Sequence, residues 1–245
     1  MSIAILVTAR LKSSRLPMKA IKPIKERPLI SHLLDRLKLA SRAERIVICT
    51  SPVEQDAPLI EIAEQENVSY YLGDPDDVLL RLTQAARHFN IDTVISCTAD
   101  NPFVDPEYID RLADFHLEHG HDFSNTEGLP FGTFSYTLSR PAMEKACEIK
   151  AECDTEVWGG YFTQTGRFRW GTMQVTDPQV RWPELRLTVD TPEDFEFVSR
   201  IFDELYEPGK TFSLQEIVEL CRKQPDLVAM NAGVQQKPGK PIRVK

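Results

Sequence analysis

The chain has 245 residues, of which 42% are hydrophobic and 27% are charged, a composition typical of soluble globular proteins. No apolar run approaches the ~20 residues of a membrane-spanning helix, and the five cysteines form no CxxC pair, so we expect a reduced, cytoplasmic protein with no membrane partner. The net charge of −8 argues against nucleic acid as a partner. However, residues 1–45 carry eleven Lys and Arg against three Asp and Glu, which predicts a local anion-binding site.

Apolar strands alternate with amphipathic helices over the first 120 residues. The predicted strands cover residues 3–8, 45–50, 68–72 and 93–98, and the predicted helices lie at about 29–37, 59–63, 78–89 and 106–117. Since strands that alternate with helices form a parallel sheet with right-handed crossovers, the pattern predicts an α/β fold with a doubly wound, mostly parallel sheet.

The alternation breaks at residues 122–185, where the sequence predicts an inserted α+β subdomain. Strand candidates within it are 134–138 and 167–175, and a buried strand at 185–190 followed by helices at 193–205 and 213–223 completes the domain. Residues 1–230 are therefore predicted to form a single domain. The remaining segment, 231–245, is basic and contains Pro and Gly, so we expect a disordered tail.

The first strand leads into a loop that combines positive charge with hydroxyl groups. These side chains belong to Arg10, Lys12, Ser13, Ser14, Arg15 and Lys19. Because doubly wound sheets bind ligands beyond the carboxyl ends of their strands, we predict that this loop holds a polyphosphate. The loop lacks the glycines of GxxxxGK[ST] and GxGxxG, which argues against P-loop ATPases and nicotinamide dehydrogenases.

Two carboxylates, Asp100 and Asp190, lie at the ends of two other predicted strands. Helix capping does not explain them, because Asp105 and Thr191 already stand at the starts of the following helices. Mg²⁺ binds through one or two protein carboxylates and completes its octahedron with water and phosphate oxygens. The sequence therefore predicts a Mg²⁺ site formed by Asp100 and Asp190.

Two other motifs have structural explanations. Asp74 and Asp76 match the Asp-x-Asp metal motif of glycosyltransferases, but Pro75 between them is typical of a helix start. His116, His119 and His121 match no standard zinc spacing and stand at a predicted helix end. We interpret both groups as structural.

Four motifs follow one another along residues 1–231. They read Ala9-Arg10-x-x-Ser13-Ser14-Arg15-Leu16-Pro17-x-Lys19, Gly73-x-x-x-Asp77-Val78-Leu79-x-Arg81, Thr98-x-Asp100-x-Pro102-Phe103-Val104-Asp105-Pro106 and Arg186-Leu187-Thr188-Val189-Asp190-Thr191-Pro192-Glu193-Asp194. Together they resemble the CMP-sugar synthetases, which include the CMP-KDO synthetases and the acylneuraminate cytidylyltransferases. The resemblance is greatest to the bacterial spore-coat polysaccharide cytidylyltransferase branch.

The resemblance implies a Rossmann-like nucleotide-diphospho-sugar transferase fold and a specific reaction. CMP would pass from CTP to an acidic sugar or related acceptor with release of pyrophosphate, for surface polysaccharide or glycoconjugate synthesis. The cofactor would be Mg²⁺ on Asp100 and Asp190, and the 122–185 region would form a homodimer. The implied nucleotide-binding residues are Ala9, Arg10, Ser13, Ser14, Arg15, Lys19, Asp77 and Arg81, and the implied catalytic residues are Arg15, Lys19, Asp100 and Asp190.

The sequence departs from the family on two sides of the expected site. Lys12 and Met18 stand where the family usually has glycine, and Glu156-Val-Trp-Gly159 replaces a Glu-His-Val-Thr segment. Two alternatives therefore stay open. One is a glycosyltransferase that uses a nucleotide sugar on the same fold, and the other is a non-catalytic nucleotide-binding subunit.

Overall fold

The computed structural model describes residues 1–237 and 241–245. Within these residues seven strands form one sheet of order β5-β4-β1-β6-β8-β7-β9, and β2 and β3 form a separate hairpin. The strands are β1 (Ile3–Thr8), β2 (Pro23–Ile24), β3 (Arg27–Pro28), β4 (Arg45–Thr50), β5 (Ser69–Leu72), β6 (Thr93–Thr98), β7 (Phe123–Glu127), β8 (Tyr136–Ser139) and β9 (Trp170–Gln174). The helices are α1 (Leu29–Leu37), α2 (Pro58–Gln65), α3 (Val78–His88), α4 (Pro106–His119), α5 (Arg140–Ile149), α6 (Gly160–Thr163), α7 (Pro192–Leu205), α8 (Leu214–Lys223) and α9 (Pro225–Ala229).

The central strand β1 sets the position of the candidate site. It pairs in parallel with β4 on one side and with β6 on the other. Successive strands are therefore added first on one side of β1 and then on the other, so the strand order reverses at β1. Its residues from Ile3 to Val7 are buried and apolar, as expected for a strand covered by helices on both faces. Ligands of such sheets bind beyond the carboxyl ends of the strands at this reversal point.

The predicted mostly parallel α/β fold is confirmed. The strands 3–8, 45–50 and 93–98 have the predicted bounds, and β5 begins one residue later than predicted. Residues 122–185 supply β7, β8 and β9, which extend the same sheet; β8 is antiparallel to both neighbours, and β9 is parallel to β7. The β2–β3 hairpin was not predicted, because two-residue strands leave no periodicity to detect.

The predicted strand at 185–190 is wrong, although the segment is extended and buried. Among the described residues it forms a single bridge, between Phe131 and Arg186. The N–H of Val189 donates to the carbonyl oxygen of Asp100 at 2.8 Å, so its backbone bonds run to loops. Gly132, with φ of 97°, permits this close approach, because a Cβ there would lie 2.6 Å from the nitrogen of Thr188.

Residues 241–245 belong to the tail for which the sequence predicts disorder, while 238–240 lie outside the described residues. Val244 forms a single antiparallel bridge with Lys150, and Ile242 packs against an apolar core cluster. In the described chain, no helix is both long and apolar enough to span a bilayer.

Candidate active site

One lysine joins two aspartates beyond the carboxyl ends of β1 and β6. The Lys19 ammonium donates to Asp100 Oδ2 at 2.8 Å, to Asp190 Oδ1 at 2.9 Å and to the carbonyl oxygen of Val189 at 2.8 Å. The fold thus places both predicted metal-binding aspartates against the basic loop. Because both carboxylates contact the same ammonium, two oxygens from distant segments face one cation-sized position.

A second ion-pair network holds Asp190 in place. Arg15 Nη2 lies 3.2 Å from Asp190 Oδ2, and Arg186 Nη2 donates to the same oxygen at 2.9 Å. Arg186 also donates to the two oxygens of Asp194, at 2.9 and 3.0 Å, and Asp194 is fully buried. Asn231 Nδ2 donates to Asp194 at 2.9 Å. The bidentate contact fixes the plane of the guanidinium and thereby orients the Asp190 carboxylate.

The opposite charges of this cluster stabilise one another in their ionised forms. Burial raises the pKa of Asp190, but the positive charges of Lys19 and Arg15 outweigh it and hold the pKa below its ordinary value. Burial likewise lowers the pKa of Lys19, and its two aspartate partners outweigh that effect and raise the pKa. At neutral pH the site therefore contains a protonated lysine and an ionised Asp190.

The loop that follows β1 is held by hydrogen bonds from its own backbone. The Leu11 N–H donates to Asp56 Oδ1 at 2.7 Å, and the Met18 N–H donates to the Leu11 carbonyl at 3.1 Å. Met18 has φ of 59°, in the left-handed region that favours glycine. This conformation accounts for the glycine expected at this position, and it shows that the loop keeps that geometry with methionine.

The Asp74–Asp77 turn lies beside this loop. Arg10 Nη1 lies 3.0 Å from Asp76 Oδ1. Asp74 Oδ1 accepts hydrogen bonds from the N–H groups of Asp76 and Asp77 at 2.9 and 2.8 Å, so it caps the turn before α3. Asp74 and Asp76 thus have the structural role favoured by the sequence, and the Asp-x-Asp metal motif gains no support.

Asp77, predicted to bind the nucleotide, is instead buried within the protein. Its Oδ1 accepts from the Leu80 N–H at 3.1 Å and from Thr155 Oγ1 at 2.8 Å, and its Oδ2 pairs with the Lys150 ammonium. The Asp77 side chain is 2% exposed. Because both oxygens accept from protein donors and the side chain is buried, the contacts of Asp77 in this structure give it a structural role, that of positioning the turn.

Arg81 is fully buried beneath the same turn. Its Nη1 donates to the carbonyl oxygen of Asp74 at 2.5 Å, while Nε and Nη2 have no hydrogen-bond partner among the residues that the structure describes. A Cβ on Gly73 would lie 2.7 Å from Arg81 Cγ, so the glycine makes room for this side chain. The structure therefore buries the Arg81 side chain, which the family resemblance implies to bind the nucleotide, beneath the turn.

Two histidines near the end of α4 contact the same serine side chain. His116 Nδ1 and His121 Nδ1 lie 3.0 and 3.1 Å from the hydroxyl oxygen of Ser124 on β7. Burial lowers the pKa of His116 to about 4, so its ring is neutral at physiological pH. These contacts support the structural role expected from the sequence.

Comparisons with known proteins establish the family. The chain matches the family model described as cytidylyltransferase over residues 4–228. The chain belongs to this cytidylyltransferase family. It is 26% identical over 231 residues to the spore coat polysaccharide biosynthesis protein SpsF of Bacillus subtilis, covering 91% of this chain and 95% of that protein. The predicted family resemblance is therefore confirmed.

Solved structures agree with this assignment. A cytidylyltransferase from Leptospira borgpetersenii superposes with a TM-score of 0.85 at 26% identity, covering 93% of this chain and 97% of the other. A CMP:2-keto-3-deoxy-manno-octonic acid synthetase complexed with CTP has a TM-score of 0.64 at 17% identity, covering 83% and 99%. The second similarity supports the nucleotidyltransferase fold.

Sequence reasoning missed part of this cytidylyltransferase site. Arg186 and Asp194 belong to the fourth motif, but the sequence predicts no contact of either residue with Asp190. No periodic signal reveals these contacts, because Arg186 lies in an extended segment and Asp194 in the first turn of α7. The contact of Val189 with Lys19 uses a backbone carbonyl and leaves no trace in the sequence.

Proposed function

We propose that this protein transfers CMP from CTP to an acidic sugar or a related acceptor and releases pyrophosphate, for surface polysaccharide or glycoconjugate synthesis. The observation that carries the proposal is the pairing of Asp100 and Asp190 with one ammonium at the reversal point of the sheet. In a member of the cytidylyltransferase family, this arrangement supports nucleotide chemistry at that position.

The donor set fits the Mg²⁺ ion that we propose as cofactor. Within residues 1–237 and 241–245, no three His, Cys, Asp or Glu side chains form a group able to hold a metal ion. Mg²⁺ suits such an open site, because it commonly binds one or two protein carboxylates together with water and phosphate oxygens. Asp100 and Asp190 would hold it, and when bound it would neutralise charge on the phosphates.

The cationic residues supply the rest of the electrostatic support. Lys19 and Arg15 contact the aspartates now and lie within the loop proposed to bind the triphosphate. With a divalent cation held by Asp100 and Asp190, Lys19 and Arg15 would be available to contact phosphate oxygens. An acceptor oxygen would attack the α-phosphorus, and the bond to the bridging oxygen would break to release pyrophosphate. Lys19 and Arg15 would stabilise the negative charge of the leaving group.

The similar proteins support the choice of nucleotide and acceptor. One solved structure with this fold contains CTP and is a synthetase for a CMP-activated keto-sugar acid. A relative with similarity along most of this chain acts in spore coat polysaccharide biosynthesis. We also propose that the enzyme is cytoplasmic and forms a homodimer, and light scattering of the purified protein tests the dimer directly.

Pyrophosphate release tests the reaction. The purified enzyme is incubated with CTP, Mg²⁺ and a panel of sugar acids, and pyrophosphate is measured by a coupled assay. We expect release that depends on one acceptor and falls at least ~100-fold in Asp100→Asn and Asp190→Asn, since electrostatic groups at the reacting phosphate contribute effects of this size. Asp226→Asn, an exposed aspartate on α9, serves as the matched control. Absence of CTP binding in calorimetry contradicts the proposal.

A further inference from the structure

The segment after α9 leads from the interior of the site to the basic loop. Asn231 is buried and donates to Asp194 at 2.9 Å and to the Arg186 carbonyl at 3.1 Å. Gln236 then accepts a hydrogen bond from Arg186 Nη1 at 2.8 Å, and Lys237 Nζ donates to Ser14 Oγ at 3.2 Å. Within six residues the chain thus brings a lysine to the loop proposed to bind the triphosphate.

The end of the chain is attached to the protein at a different place. The Ala151 N–H donates to the Arg243 carbonyl at 2.9 Å, and the Lys245 N–H donates to the Ile149 carbonyl at 2.8 Å. Ile242 packs so closely against Gly160 that a Cβ there would lie 2.9 Å from Ile242 Cγ2. These contacts and those of Asn231 tether both described parts of the tail to the body of the enzyme.

Charge explains why a lysine at this place is useful. Arg10, Arg15 and Lys19 each pair with a carboxylate in the structure. By contrast, no carboxylate of the described chain lies within ion-pair distance of Lys237, whose neighbour is the neutral hydroxyl of Ser14. A nucleoside triphosphate carries more negative charge than one divalent cation neutralises, so an additional ammonium beside the loop stabilises it.

We propose that Lys237 is a substrate-binding residue, which the tail delivers to contact the β- and γ-phosphates of CTP beside Ser14. The inference rests on the proposed function, because it assigns the loop around Ser14 to the triphosphate. It extends the site beyond the residues 4–228 that match the family model. It also gives a role to the basic segment that the sequence alone predicted as disordered.

Calorimetry of nucleotide binding with the full-length enzyme tests the proposal. The variants are Lys237→Met, Lys237→Arg and Lys245→Met, the last being an exposed lysine of the same tail whose ammonium contacts the Glu148 carbonyl. We expect Lys237→Met to weaken CTP binding about fivefold to tenfold in Mg²⁺ buffer, as for loss of one charge-assisted hydrogen bond. CMP affinity stays unchanged, because CMP lacks the β- and γ-phosphates.

The controls separate this inference from the proposed function. Lys237→Arg retains most of the CTP affinity, Lys245→Met matches the wild type, and the loss in Lys237→Met shrinks at high salt because the contact is exposed. Equal CTP affinity in the wild type and Lys237→Met overturns the role of Lys237 and leaves the proposed function intact. An equal loss of CMP affinity, or the same loss in Lys245→Met, also overturns it. A wild type that binds no CTP overturns the proposed function and the inference together.

Discussion

Replacing Lys19 by methionine removes the ammonium that Asp100 and Asp190 share. The Lys19 side chain is 15% exposed, and those of Asp100 and Asp190 are 25% and 11% exposed. Methionine keeps most of the length of the unbranched side chain but lacks the ammonium. The substitution therefore leaves two carboxylates facing each other without their common partner.

The expected loss of stability follows from this partial burial. Removing one member of a buried ion pair costs about 3–5 kcal/mol, whereas exposed pairs contribute about 0–1 kcal/mol. Asp190 retains its contacts with Arg15 and Arg186, at 3.2 and 2.9 Å. We therefore expect a decrease of about 2 kcal/mol in the free energy of unfolding. For a chain of this size, that corresponds to a Tm lower by about 4–8 °C.

The effect of Lys19→Met depends on pH with a definite sign. The folded pKa of Asp190 is lowered, so its ion pairs stabilise the fold above the unfolded pKa of about 4 and lose this effect as pH falls through the folded value. In the variant, repulsion between two carboxylates raises the pKa of one of them. The difference in stability between wild type and variant is therefore largest near pH 7 and shrinks toward about pH 3.

Urea unfolding between pH 3 and pH 8 measures this difference. Lys223→Met is the control, because Lys223 pairs with Glu219 but is 70% exposed, and its loss changes the free energy of unfolding by less than ~0.5 kcal/mol. A second expectation follows from the proposed Mg²⁺ site. Without nucleotide, we expect Mg²⁺ to raise the Tm of Lys19→Met more than that of the wild type, because the ammonium no longer competes for the aspartates. A variant as stable as the wild type at every pH, or a loss that does not vary with pH, refutes this reasoning.

Two other substitutions test the roles assigned to the turn before α3. Asp77→Ala leaves the buried ammonium of Lys150 without its carboxylate, so we expect a loss of about 3–4 kcal/mol in urea unfolding; loss of CTP affinity at unchanged stability contradicts this structural role. Asp74→Ala removes the acceptor of two backbone N–H groups and costs about 1 kcal/mol, with the Mg²⁺ dependence of catalysis retained. If Asp74→Ala instead loses Mg²⁺-dependent activity, Asp74 is a metal ligand, and this result favours the glycosyltransferase hypothesis.

The sequence was sufficient to predict which residues meet at the centre of the site. Lys19 and Asp100 follow β1 and β6, and parallel strands bring their carboxyl ends to one edge of the sheet. Asp190 reaches the same place on a buried, extended segment that is not a strand of that sheet. The same reasoning failed for the strand at 185–190. Alternating apolar residues indicate that a segment is buried. Whether the segment joins a sheet depends on which acceptors its backbone N–H groups find, and here the acceptors are carbonyl oxygens of loop residues.

The roles of Asp77 and Arg81 depend on residues far away in the chain. Lys150 and Thr155 close a buried network around Asp77, and neither has a sequence relationship to it that a local pattern reveals. The contact of Lys237 with Ser14 joins residues 223 positions apart. Such contacts depend on the completed fold, which explains why local motifs identified the residues of the central ion-pair cluster but not the burial of Asp77 and Arg81.

Thermal unfolding with CTP, ATP, GTP or UTP, each with and without Mg²⁺, tests the central claim most directly. A ligand at about 100 times its dissociation constant adds roughly 2.7 kcal/mol to the stability of the folded state. For this chain we predict a Tm increase of at least about 5 °C that requires both CTP and Mg²⁺. No shift with CTP, or an equal shift with all four nucleotides, contradicts the assignment of this protein as a CTP-dependent enzyme.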